Sequence, residues 1–214
     1  YLTTEDKINY YLNRVEPYIE DIPFEHHALN RGRVVVGQEI SARDIQKATA
    51  AYYGMVEEVD EDYNTVMKQL EHVGQDLEDW WIVFTADHGS MMGEHGVWSQ
   101  SKFFEGSARV PLMIRPPKQV REKWGMVPGQ TRHVNQNVNT CDLFATICQM
   151  AGVPLPEKKT TVFGAGLDSR SLFALMRADG PVDNWDDESI SQFKGEELMI
   201  KRGPLKYQYY ESAE

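Results

Sequence analysis

One stretch limits what this chain can become more than any other: a helical apolar stripe about eight turns long that runs into an unbroken apolar strand. Ser41 and Asp44 stand at capping-box spacing and open the helix. Apolar residues recur at Ile45, Ala48, Tyr52, Met55, Val56, Val59, Tyr63, Val66, Met67, Leu70 and Val73, and Gly74 is the stop signal. Glu57, Glu58, Glu61, Lys68 and Glu71 lie on the other face and read as solvated. Then comes Trp80-Trp81-Ile82-Val83-Phe84-Thr85-Ala86. Aromatic and β-branched residues without a polar break suit a central strand covered on both faces. A long helix feeding such a strand is half of a βαβ unit. The sequence therefore predicts an α/β fold with a partly parallel central sheet flanked by helices.

The flanks are read more coarsely. Thr4 opens a short helix over residues 4–15. Residues 16–40 are irregular, punctuated by Pro17, Pro23, Gly32 and Gly37, with Val34-Val35-Val36 as a candidate strand. Arg109 to Arg115 forms a second strand ended by Pro116-Pro117, and residues 116–137 read as a long loop. Asn139 and Asp142 are another capping-type pair. The helix they open carries Leu143, Phe144, Ile147 and Met150 and closes at Gly152 and Pro154. A short helix is expected over 169–176, an acidic Pro-containing linker over 178–187, and a hairpin of 198–201 with 206–210 around Gly203-Pro204. The chain thus divides into residues 1–177, the α/β part, and 178–214, a linker and the start of a small α+β region.

Charge narrows the partners. With 33 acidic against 22 basic residues the net charge is −11, which argues against nucleic acid or an anionic membrane as the main partner. An anionic substrate stays open, because a metal ion and a few cations reverse the field inside a cleft. No apolar run approaches the roughly 20 residues of a membrane helix. The chain starts abruptly on Tyr1-Leu2-Thr3-Thr4, without Met or a signal-like segment, and reads as a cut piece or a processed product. Location is left open between cytoplasm and periplasm. Cys141 and Cys148 would lie about 10 Å apart along a helix, too far for a disulfide. They read as two small buried residues.

The strand run stops at Asp87-His88-Gly89. In open α/β sheets, ligands bind just beyond the carboxyl ends of strands. An isolated Asp-His pair says little, since turns use Asp and Gly for geometry alone. Here a second polar cluster, Gly93-Glu94-His95-Gly96, follows within one loop, and Gln100 and Lys102 come soon after. A carboxylate, an imidazole and an ammonium converging on one strand end suit a divalent metal and an anionic group held together.

At these residues a resemblance becomes specific. The stretch from Phe84 through Asp87-His88-Gly89 and Gly93-Glu94-His95-Gly96 to Trp98 resembles the second signature region of the sulfatase family, within the alkaline phosphatase superfamily. The wording is closest to its choline-sulfatase-like and arylsulfatase-type bacterial members. Phe103-Phe104-Glu105-Gly106-Ser107-Ala108-Arg109-Val110-Pro111-Leu112 is similar to the segment that follows, and Thr140 to Thr146 to the family's next helix. The likeness runs in order through most of residues 41–210. It marks the chain as the C-terminal half of such an enzyme, with an incomplete alkaline-phosphatase-like fold.

The resemblance implies roles. Asp87 and His88 would be ligands of one divalent cation, usually calcium, shared with the sulfate group. His95 and Lys102 are the candidate catalytic residues, and Gln100 and Lys102 the candidate substrate-binding ones. Gln100 stands where the family usually has a lysine, and a neutral amide supplies a hydrogen bond but no charge. The family's nucleophile, a formylglycine made from a Cys or Ser in a Cys/Ser-x-Pro/Ala-x-Arg motif, has no match here. His26-His27 reads as a surface or substrate-rim feature. The implied function is that of a sulfuric ester hydrolase whose nucleophile and remaining metal ligands come from a missing N-terminal half. The chain alone would be inactive. The implied partners are that half and a sulfated small molecule or sulfated sugar. A phosphodiester or phosphonate monoester hydrolase is the alternative within the superfamily. A non-catalytic binding module, which Gln100 favours, is the alternative outside it.

Overall fold

The computed structural model describes residues 3–17, 40–100, 102–155, 169–177, 182–195 and 197–210. His26-His27 and Val34-Val35-Val36 lie outside them. The chain packs as two compact units, Tyr1–Pro117 and Lys118–Glu214, a different cut from the composition break at 177/178.

In the first unit, α1 (Glu5–Leu12) starts at Thr4, whose hydroxyl accepts the Lys7 N–H at 3.3 Å. Helix α2 (Ala42–His72) starts at Ser41. The Ser41 hydroxyl accepts the Asp44 N–H at 3.1 Å and donates to the Asp44 carboxylate at 2.6 Å, the capping box read from the spacing. Gly54 lets α1's entry come close: a Cβ there would stand 2.5 Å from the Thr3 hydroxyl. Lys7 bridges Glu58 at 3.1 Å and Glu61 at 2.9 Å, so two of the glutamates expected to be solvated are paired. Only Ile45, Thr49, Ala50 and Gly54 of α2 are buried, and Val59, Val66 and Val73 are exposed. Eight residues of α1 reach about 12 Å and so pack on only the first half of the stripe, while Tyr63, Met67 and Leu70 farther along are half-buried.

Strand β1 (Ile82–Thr85) is half-buried along its length, not covered on both faces as expected. Its partner is β4 (Leu112–Arg115), antiparallel, with Val83 opposite Ile114 and Thr85 opposite Leu112. Tyr63 of α2 meets Phe84 edge-on at 6.0 Å. Among the described residues β1 has no second neighbour and every pairing is antiparallel, so the apolar run keeps uncovered surface. Between β1 and β4 lie a small antiparallel pair, β2 (Met91–Met92) with β3 (Trp98–Ser99), and the short helix α3 (Glu105–Ala108).

The second unit holds α4 (Lys118–Lys123), α5 (Asp142–Met150), α6 (Phe173–Arg177) and a meander of β5 (Glu188–Phe193), β6 (Glu197–Arg202) and β7 (Leu205–Tyr210). Helix α4 corrects the loop expected over 116–137: Lys-Gln-Val-Arg-Glu-Lys are good helix formers placed just after a proline pair. Asp142 reaches back to accept the Asn139 N–H at 2.9 Å and also accepts the Arg170 N–H at 2.9 Å. The Asn137 amide donates to Asp187 at 3.0 Å and to the Gly203 carbonyl at 2.9 Å, tying the end of the expected linker to the sheet. Cys141 is exposed and Cys148 half-buried, against the expectation of two buried residues. On α5 the buried places go to Asp142, Ala145 and Thr146 instead.

Candidate active site

The turn after β1 is built by its own backbone. The Asp87 carboxylate accepts the His88 N–H through Oδ1 at 2.8 Å, which leaves Oδ2 open. His88 Nδ1 lies 3.0 Å from the Gly89 carbonyl, which can only accept. In the neutral ring that contact places the proton on Nδ1 and leaves the lone pair on Nε2. That Nε2 stands 3.7 Å from Asp87 Oδ2, with the Asp87 side chain 87% exposed and that of His88 50%. Two unlike donors thus share one open face at the end of a strand.

Gly89 is required by contact. Its N–H donates to the Ser107 carbonyl at 2.9 Å. A Cβ at Gly89 would stand 2.1 Å from the Gly106 carbonyl oxygen, so only glycine lets the first turn of α3 close against this turn.

The loop between them is strained in two places. His95 (φ 57°) and Ser99 (φ 76°) are non-glycine residues in the left-handed region, each at a cost of about 1 kcal/mol or more. The His95 ring lies 4.3 Å from that of Phe104, tilted by 32°. Glu94 turns inward and accepts the Met92 N–H at 2.6 Å. The Ser99 hydroxyl donates to Gln100 Oε1 at 2.7 Å, which leaves the Gln100 NH₂ as the end that can donate elsewhere. Lys102 is 5% exposed, the only basic residue among the buried ones described. Its N–H faces the Ser107 hydroxyl at 3.4 Å.

Asp87 and His88 are thus brought together, and Lys102 is joined to their turn through Ser107. Glu94 and His95 add no third ligand, since no group of three His, Cys, Asp or Glu suited to a metal occurs among the described residues. The fit to a divalent cation is that of a partial shell. A cation bonded to both donors at about 2.0–2.5 Å holds them roughly 3–4 Å apart, as Oδ2 and Nε2 are. Calcium prefers oxygens and would find only one here, whereas imidazole is an ordinary ligand of transition metals. Ser107 was not foreseen, because a serine in Glu-Gly-Ser-Ala carries no periodic signal and its partners are set by packing.

Comparison with known proteins gives the family and the fold. The family model described as Sulfatase matches residues 6–153. The chain is 30% identical over 156 residues to a choline-sulfatase of Rhizobium meliloti, covering 71% of this chain and 28% of that enzyme. It is 31% identical over 162 residues to arylsulfatase K of Xenopus laevis, covering 72% and 26%. Among solved structures, a phosphonate monoester hydrolase from Silicibacter pomeroyi superposes with a TM-score of 0.67 at 22% identity, over 91% of this chain and 42% of that one. BT4656, solved with its substrate D-glucosamine-2-N,6-O-disulfate, superposes at 0.60 with 22% identity, over 81% and 34%. The fold is therefore the alkaline-phosphatase-like α/β fold. The chain spans under a third of the length of these two curated relatives.

Proposed function

The chain belongs to the sulfatase family of hydrolases, and from that membership we propose that it supplies part of the metal and sulfate site of a sulfuric ester hydrolase. The observation that carries the reading is the open pair at the end of β1, Asp87 Oδ2 and His88 Nε2, 3.7 Å apart. Asp87 offers a carboxylate oxygen and His88 a ring nitrogen whose direction is set by the bond to Gly89. A divalent cation bound there would offset charge on the sulfate oxygens and lower the proton affinity of an attacking oxygen. Gln100 donates from its amide to a sulfate oxygen, since its Oε1 is occupied by Ser99. Lys102 supplies the positive charge that Gln100 lacks. His95, its plane set by Phe104, is the group suited to hold a proton for the leaving alcohol.

The formylglycine nucleophile and the remaining metal ligands come, in this reading, from elsewhere in a longer polypeptide. The substrate class is a sulfated small molecule or sugar, for which BT4656 with its sulfated glucosamine is the supporting relative. A phosphonate monoester would meet the same strand end, so the test compares the two esters. A polypeptide containing this chain in full is assayed with 4-nitrophenyl sulfate and with a phenyl phosphonate monoester. Sulfate turnover is expected to dominate and to disappear on chelation. Asp87→Ala should lower kcat/KM by about 100-fold or more, and the 214-residue chain alone should show no turnover. Faster phosphonate cleavage would move the assignment to that class. Full activity in Asp87→Ala would remove Asp87 from the site.

A further inference from the structure

Three features of the loop that follows β1 meet at one short helix. The Gly89 N–H donates to the Ser107 carbonyl at 2.9 Å, and the Lys102 N–H faces the Ser107 hydroxyl at 3.4 Å. The Ser107 N–H in turn donates to the carbonyl of Phe104, whose ring lies against His95. Ser107 is itself buried, at 3% exposed. Its neighbour Gly106 touches Gly89 so closely that no side chain fits between them. Lys102 is buried as well, and a buried ammonium is tolerated only where its surroundings are held in place.

We propose that Ser107 is a positioning residue that sets the spacing between the Asp87-His88 turn and the cation of Lys102. Its carbonyl holds the turn and its hydroxyl holds the backbone of Lys102. One residue thereby sets the offset between the metal-facing pair and the anion-facing charge. The inference rests on the reading that Lys102 serves the bound anion, but its test does not require turnover.

Ser107→Ala keeps the carbonyl and removes only the hydroxyl, and Ser107→Thr restores it. Lysine reactivity is read residue by residue, by limited acetylation with acetic anhydride and mass spectrometry. Exposed Lys47 reports the reagent dose, and ion-paired Lys7 reports general loosening of the same unit. Lys102 is expected to react about fivefold faster in Ser107→Ala, the scale of one lost hydrogen bond. Lys47 and Lys7 should stay at their wild-type rates, and Ser107→Thr should restore Lys102 to slow reaction. In the longer polypeptide the same Ala variant should raise KM for 4-nitrophenyl sulfate more than it lowers kcat. An unchanged Lys102 rate in Ser107→Ala overturns the proposal, and so does a parallel rise at Lys7. Absence of sulfate turnover with Lys102 still responding would count against the hydrolase reading and leave the positioning role standing.

Discussion

Asp87, His88 and Gly89 are consecutive, yet each is held by a different kind of contact. Asp87 bonds to the backbone of its neighbour, His88 to the carbonyl of Gly89, and Gly89 to the distant Ser107. The place of the Asp87-His88 pair was legible in the sequence, because an apolar strand run stops on it, but its contacts were not. The tie of Gly89 to Ser107 was the least legible: a close approach between Gly89 and Gly106 leaves no mark in composition. It makes a sharp prediction. Gly89→Ala drives a Cβ to 2.1 Å from a backbone oxygen, whereas Gly106→Ala meets the Met91 sulfur at 3.0 Å. A methionine side chain can move and a carbonyl in a helix cannot. Thermal or urea unfolding should show Gly89→Ala destabilised by about 1–3 kcal/mol and Gly106→Ala by clearly less. Equal losses would mean that the two turns can slide apart.

At the scale of elements, the long periodic helix and the 198–210 hairpin were read in place, and some of the shortest elements were not. Helix α2 declared itself through its stripe and its cap. Its cap also titrates. The Ser41 hydroxyl holds the Asp44 carboxyl below its ordinary value, with Lys47 helping and partial desolvation opposing. A carboxyl whose pKa is lowered on folding contributes stability above its unfolded pKa and loses it as the pH falls through the folded value. The thermal midpoint of Asp44→Ala should therefore lie below that of the wild type at neutral pH, and the gap should close as the pH falls below about 4. Ser41→Ala should cost about 1 kcal/mol at neutral pH. A gap that stays constant into acid would show that the charge of Asp44 contributes nothing to the cap. The six residues of α4 and the two-residue strands β2 and β3 escaped notice because such lengths carry no measurable period. Strand β1 was placed correctly but its cover was overestimated, since an apolar run reports what a strand can bury and not what lies beside it.

In the molecule as a whole, the second unit hangs on a buried acid. Asp142 is 1% exposed, accepts two backbone N–H groups and lies 3.6 Å from the Arg170 guanidinium. Arg170 stacks at 4.2 Å on Trp185 and donates to the carbonyls of Asp186 and Glu188. Helix α5, the segment before α6 and the approach to β5 are thereby joined at one carboxylate. Asp142→Ala would strand two backbone donors, while Arg170 keeps its two carbonyls and Trp185, and urea unfolding should show a loss of about 2–3 kcal/mol. Asp142→Asn keeps an acceptor and should lose less. Sequence alone determined the family, the long capped helix, the strand after it and the polar pair at that strand's end, because each is written in residues close along the chain. Only the tertiary structure decided that Val59, Val66 and Val73 of α2 stay exposed, that Lys102 and Ser107 are buried, and that Asp142 joins the segments of its unit. Those outcomes depend on which distant groups come into contact, and local spacing does not encode that.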